Sequence, residues 1–149
     1  MSTYYTIGQV ASQLQIPPST LRYYDREGLL PFVARSEGGV RMFRQSDLEW
    51  LSLIECLKHT GMPLKDIRTF IDWCMAGDET IGQRLEIIQR QKQAVEEQIA
   101  ALQEVLGVLQ YKTWYYETAQ EAGSCSIHDH LTPEDVPEHL RRWRCYHTD

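Results

Sequence analysis

From about Thr80 to Glu117 apolar residues return at the spacing of a coiled-coil seam: Ile81, Leu85 and Ile88, then Val95, Ile99, Leu102, Leu106 and Leu109. At 1.5 Å per residue a helix over this stretch is about 55 Å long. That is too long to be buried inside one small domain, so the helix needs a partner, and the simplest partner is a second copy of the chain. Lys92 occupies an interior seam position, where a polar residue fixes register or partner orientation. The competing reading is a solvated helix packed on its own head.

What precedes this helix is compact. Thr6-x-x-Gln9 is a capping-box pattern, with Ile7, Val10, Ala11 and Leu14 as the apolar stripe behind it. Ile16-Pro17-Pro18 breaks that helix, Pro18 suits the first position of a second one, and Gly28 ends it. On the second helix Ser19, Arg22, Tyr23 and Arg26 share a face, while Leu21 and Tyr24 point toward the support. Arginine forks match phosphate oxygens and guanine edges, and the hydroxyls of Ser19, Thr20 and Tyr23 can bond phosphates. Two short helices joined by a turn, the second with a basic face, form a helix-turn-helix. Phe32 to Phe43 then reads as a hairpin turning at Gly38-Gly39, with Arg35 and Arg41 near its tip. A basic hairpin beside such a helix is a wing. Ser46 is expected to cap a third helix, Asp47 to Thr60, and Leu64 to Met75 reads as a fourth, with Cys74 on its core stripe.

Charge supports a chain that touches polyanion with one end. Residues 1–44 hold five arginines and three acids, a net of +2, so residues 45–149 carry −8 of a total of −6. No apolar run is long enough to span a bilayer, and the polar N-terminus is not a signal peptide. The four cysteines, at 56, 74, 125 and 145, are too widely spaced for a disulfide framework. A cytoplasmic, reduced protein is expected, with no membrane partner and no cofactor. Nothing orients a base or supplies an oxyanion site, so an enzyme is the weakest class.

Thr20-Leu21-Arg22-Tyr23-Tyr24, Gly28-Leu29-Leu30-Pro31, Gly39-Val40-Arg41-Met42-Phe43 and Asp47-Leu48 stand in the order and spacing of the MerR family of bacterial transcription regulators, which the chain resembles over residues 5–75. The resemblance implies a mostly α fold: a winged helix-turn-helix head (1–76) and a long dimerisation helix forming an antiparallel coiled coil (77–119). The tail (120–149), where the apolar pattern fades, reads from its own residues as a loop and a short helix from Pro133 to Trp143, capped by Thr132. It also implies a homodimer on palindromic double-stranded promoter DNA, bent and untwisted so that RNA polymerase can use it. Arg22 and Tyr23 match the family's recognition-helix contacts, and Arg41 and Phe43 match its wing. Val40 stands where the family usually has tyrosine, and Pro17 where it often has a serine cap.

The run Leu57-Lys58-x-Thr60-Gly61-Met62-x-Leu64, preceded by Cys56, is similar to the thiol-based branch of that family, which responds to reactive aldehydes or nitrosative stress. Cys56 is therefore expected as the sensor of a small electrophile. It lies off the apolar side of its helix, where a cation such as His59 or Lys58 would be needed to favour a thiolate. The alternatives are a metal-responsive regulator using Cys125, His128 and His130, a binder of lipophilic compounds using Trp114, Tyr115 and Tyr116, and a structural coiled-coil adaptor.

Overall fold

The computed structural model describes residues 3–144, so Cys145 and the residues after it lie outside the described part. The elements run α1 (Ile7–Leu14), α2 (Pro18–Arg26), β1 (Ala34–Arg35), β2 (Arg41–Met42), α3 (Gln45–His59), α4 (Leu64–Ala76) and α5 (Ile81–Ala122), with a 3-10 turn over Asp78–Thr80 before α5. The chain divides into two compact units, one ending at Lys92 and the other beginning at Gln93.

In the first unit local signals set most boundaries. Thr6 and Gln9 form the reciprocal capping box, with bonds of 2.8 and 3.3 Å. The turn after α1 is made without glycine: Gln15 adopts φ 56, and Ile16 N–H donates to the Ala11 carbonyl at 3.0 Å. This drops Ile16 into the core. α2 starts on Pro18, where the missing N–H is one the helix could not have used. The hairpin is shorter than the apolar alternation suggests, with Ala34 opposite Met42 and Arg35 opposite Arg41. Its turn is closed by Gly39 N–H on the Ser36 carbonyl at 2.9 Å, and Gly39 at φ 79 supplies the left-handed residue that this turn requires. The N-terminal segment adds a rung, since Tyr5 and Phe43 exchange backbone bonds of 2.8 and 3.1 Å.

Ser46 does not cap α3. The helix begins earlier, at Gln45, and the Asp47 carboxylate reaches back to the Arg44 N–H at 2.8 Å. An acid three residues past the cap satisfies an orphan donor there and meets the positive end of the helix dipole. Val10, Leu21, Leu51, Ile54, Ile67 and Ile71 bring four helices into one core, which Ile87 of α5 joins. Cys74 is half-buried against that core, as its stripe position predicts.

In the second unit α5 runs past the expected Glu117 to Ala122, for 42 residues in all, or about 63 Å. At about 100° per residue, Glu104, Gly107, Tyr111 and Tyr115 share one side, roughly opposite the side of Val95, Ile99, Leu102, Leu106 and Leu109. The tail covers only the first. Tyr111 and Tyr115 bury against Val136 and Leu140. Trp143 Nε1 donates to Glu104 Oε2 at 3.2 Å, and Arg142 pairs with the other oxygen of the same carboxylate.

The single tail helix expected from Pro133 to Trp143 is replaced by two 3-10 turns, Pro133–Asp135 and Glu138–Trp143. Pro137 lacks the N–H a helix needs and holds Val136 in extended backbone, at ψ 134. Thr132 does cap the first turn. Its N–H and hydroxyl both donate to Asp135 at 2.8 Å, and these bonds, the backbone one foremost, hold the Asp135 carboxyl below its ordinary range.

Gly107 is where the tail meets the helix most closely: a Cβ there would lie 2.1 Å from the Trp143 ring. Helix propensity alone says that Gly107→Ala should stabilise by about 1 kcal/mol. The clash reverses that sign, because overpacking costs about 1–3 kcal/mol. Gly107→Ala is expected to shift tryptophan fluorescence to the red and to speed amide exchange at Leu140. A higher Tm with unchanged exchange would remove the Trp143 contact from this account.

Candidate nucleic-acid interface

The outward face of α2 matches its sequence pattern. Ser19, Arg22 and Arg26 are exposed, Thr20 is half-buried, and Tyr23 is 41 % exposed. Leu21 and Tyr24 point the other way and are almost fully buried. The Arg26 guanidinium sits 6.0 Å from the Tyr23 ring centroid, a cation–π contact that keeps both groups on one side. Among the described residues Arg22 has no ion-pair partner, so its five donors are available to an anion.

The wing arginines are tied down. Arg35 and Arg41 face each other across the hairpin ladder, an arrangement that is unfavourable for like charges. Both bond the same oxygen of Asp25 on α2, Arg35 at 2.9 Å and Arg41 in a shorter contact. The Asp25 side chain is 12 % exposed, Arg41 23 % and Arg35 55 %. Asp25 therefore offsets the repulsion and braces the hairpin against α2. Arg35 keeps most of its surface for phosphate. Arg41 is mainly a brace, and its Nε is buried without a hydrogen-bond partner.

Phe43 requires a correction. It is 0 % exposed and belongs to the head core, so its side chain cannot meet DNA as a wing residue. Its backbone bonds to Tyr5 turn the ring inward. The basic group at the surface beside it is Arg44, stacked on Tyr4 with its guanidinium 5.7 Å from the ring centroid. The local pattern gave no hint of Asp25 as a bridge, because its partners lie 10 and 16 residues away.

The three described thiols differ in setting. Cys56 is exposed near the end of α3, but Lys58, a candidate cation for it, instead donates to the Tyr24 hydroxyl at 3.0 Å. Cys74 was read from sequence as core alone, yet Arg84 Nη1 lies 3.9 Å from its sulfur. That guanidinium is held in place by bonds to Thr80 Oγ1 at 3.1 Å and to the Gly77 carbonyl at 3.1 Å. Cys125 is exposed and lines an open groove of about 820 Å³ with Leu109, Thr113 and Tyr116.

The alternative metal trio is not assembled. His128 turns onto α5, 4.4 Å from the Tyr115 ring and 5.3 Å from Trp114, with Nε2 2.8 Å from Thr118 Oγ1. His130 remains exposed. Among the described residues no three His, Cys, Asp or Glu side chains converge on one point. Tyr115 is likewise a core residue of the tail rather than part of an open aromatic site. No helix among the described residues is long and apolar enough to cross a membrane.

Two family models match the chain: MerR HTH family regulatory protein over residues 5–72, and MerR, DNA binding over residues 48–111. An uncharacterised HTH-type transcriptional regulator of Haemophilus influenzae is 48 % identical over 120 residues, which is 80 % of this chain and 89 % of the relative. Among solved structures, HiNmlR, a MerR family regulator lacking the sensor domain and bound to promoter DNA, is 46 % identical with a TM-score of 0.63. The match covers 84 % of this chain and 99 % of that one. A MerR family regulator from Bacillus thuringiensis is 45 % identical with a TM-score of 0.61, over 74 % of this chain and 97 % of its own.

The brace is testable without DNA. Asp25→Asn keeps the shape but removes the charge that two arginines share, so stability should fall by about 1–3 kcal/mol in urea melts. Backbone exchange at Ser36 and Val40 should speed up more than exchange in α3. An unchanged urea midpoint together with an unchanged hairpin would mean that Asp25 does not hold the wing.

Proposed function

Because the chain belongs to the MerR family of DNA-binding transcriptional regulators, we propose that it acts as a homodimer on a palindromic promoter, which it distorts when a small electrophile modifies a cysteine. The observation that carries this reading is the two-sided character of α5. One side is covered by the chain's own tail, while on the opposite side Ile99, Leu102, Leu106 and Leu109 are 49 to 67 % exposed. Apolar side chains in seam register on so long a helix are buried by a second helix. An antiparallel pair would present two winged heads to half-sites about 34 Å apart.

Promoter DNA as the ligand is supported by the outward face of α2, by the braced hairpin and by the DNA-bound relative. Phosphate contacts from Arg22, Arg26, Arg35 and Arg44 would supply the few kcal/mol, about 1–6, that bending a site costs. RNA polymerase then engages the realigned promoter. Cytoplasmic DNA is the setting this requires.

The effector step is assigned to Cys56, which reaches solvent from α3. A thiol adds across an aldehyde carbonyl: sulfur bonds the carbon, the thiol proton ends on the oxygen, and no co-reactant is consumed. An adduct on α3 would press on the elements that carry the wing. A second reading has one observation in its favour, the Arg84 guanidinium beside the Cys74 sulfur, where its donors could hold the oxygen of an adduct.

Dimerisation is checked first. Replacing Ile99 and Leu102 with Asp would bury charges in the seam, and light scattering of that variant should give the monomer mass at micromolar concentration. A monomeric wild-type protein would end the coiled-coil reading.

The sensor is checked in a promoter reporter exposed to formaldehyde and, separately, to zinc. Cys56→Ser should keep basal promoter binding and lose the aldehyde response. Loss of that response in Cys74→Ser alone would move the sensor to the Arg84 site. A zinc response that disappears in Cys125→Ser would move it to the tail.

A further inference from the structure

The seam spacing runs on past Leu109, through Thr113, Tyr116 and Gln120. These four residues line the open groove at the end of α5, and so does the tail turn Gly123-Ser124-Cys125. Local bonds hold that turn in place. Gly123, at φ 82, ends the helix. Its N–H donates to the Gln120 carbonyl at 3.2 Å and the Ser124 N–H to the Ala119 carbonyl at 3.0 Å, which is the Schellman pattern. Beyond the turn, His128 is fixed on α5 by the Thr118 hydroxyl and the Tyr115 ring. The groove is thus a shaped extension of the seam. Leu109 and Tyr116 give it apolar surface, being 55 and 54 % exposed.

What fits it follows from the length of the helix. Two α5 helices in full antiparallel overlap set Ile81 of one against Ala122 of the other. The nearest alignment that also brings seam residue to seam residue pairs Ile99 with the partner's Leu102. It sets Thr113 against the partner's Ile88, Tyr116 against the partner's Leu85 and Gln120 against the partner's Ile81. Ile81 and Leu85 are themselves 54 and 55 % exposed. A helix start with bare apolar residues and a helix end with a groove are complementary, and two-fold symmetry forms the contact twice.

We propose that the groove beside Cys125 receives the first turns of α5 from a second copy of the chain. The tail turn is then part of the dimer interface, and the partner shields Cys125. The inference rests on the reading of α5 as an antiparallel dimer helix and adds the tail to that interface. A thiol that the single chain exposes is withdrawn from electrophiles in solution, which leaves the effector step to Cys56.

The test uses the full chain. Light scattering gives its mass, and peptide mass spectrometry follows alkylation of Cys125 by N-ethylmaleimide in the same sample. In the wild-type dimer Cys125 should react at least about tenfold more slowly than in the Ile99→Asp/Leu102→Asp monomer. A second arm does not depend on that variant keeping its tail docked. Ile81→Cys/Gln120→Cys, oxidised with glutathione disulfide, should give a covalent dimer in which peptide mass finds residue 81 joined to residue 120, because facing seam positions lie within disulfide reach. Ile81→Cys/Thr113→Cys should give no such bond. Cys125 reacting at the monomer rate in a wild-type dimer would mean that the groove stays open to other ligands, and would overturn the proposal while leaving the coiled coil intact. A bond from residue 81 to residue 113 would also overturn it, since that register stops the partner helix short of Tyr116. A monomeric wild type would instead overturn the dimer reading on which the proposal rests.

Discussion

A 42-residue helix in a 149-residue chain has more side than the rest of the chain can cover. The other features of the second unit follow from how that excess is divided. The tail takes the side of Tyr111 and Tyr115 and builds a small core there with Val136 and Leu140. It leaves the seam side bare. Had the tail folded over Leu102 and Leu106, those side chains would be covered within the chain. The choice of side is made by aromatic residues one turn apart, which form a patch large enough for a short, proline-broken segment to sit on. The seam, with aliphatic residues in register over several turns, suits only another long helix.

In the head, charge is organised before any DNA arrives. Two of the five arginines in residues 1–44 are committed to Asp25. The surface that remains is smaller than the arginine count implies, but it is better defined. Arg22 and Arg26 project from a helix whose inner side is anchored, and Arg35 projects from a hairpin anchored to the same helix. A two-residue pair of strands would be a poor platform alone. Asp25 and the Tyr5–Phe43 rung make it part of the head.

Whatever depends on residues within a turn of each other could be read in the sequence. The Thr6–Gln9 box, Pro18 at the start of α2, the Gly38-Gly39 turn and the inward pair Leu21 and Tyr24 all came from local chemistry, and all are present. The seam residues were legible because a heptad is also a local rule. Contacts that join distant segments were not legible. Asp25 looked like an ordinary helical acid until the hairpin folded back on it. The family resemblance makes Phe43 a wing residue, but an edge position pairs it with Tyr5 and turns it into the core. Ser46 was a reasonable cap by type and lost to Asp47, which can reach the donor from inside the helix. The tail was misread because a proline-containing stretch with apolar residues three and four apart fits both a helix and two short turns. Pro137 decides between them only once Val136 and Leu140 have a surface to meet.

The contact between Trp143 and Gly107 ties together two positions 36 residues apart in the sequence. A glycine inside a long helix is a weakness unless something needs the space, and here an indole ring fills it. The two positions are therefore expected to change together. A lineage that shortened its tail would be expected to replace the glycine soon afterwards, since the vacancy would then only weaken the helix. A lineage that kept the tryptophan could not. Across descendants of this chain, glycine at 107 should appear and disappear with an aromatic residue at 143, so that the pair records in sequence whether the tail is still docked.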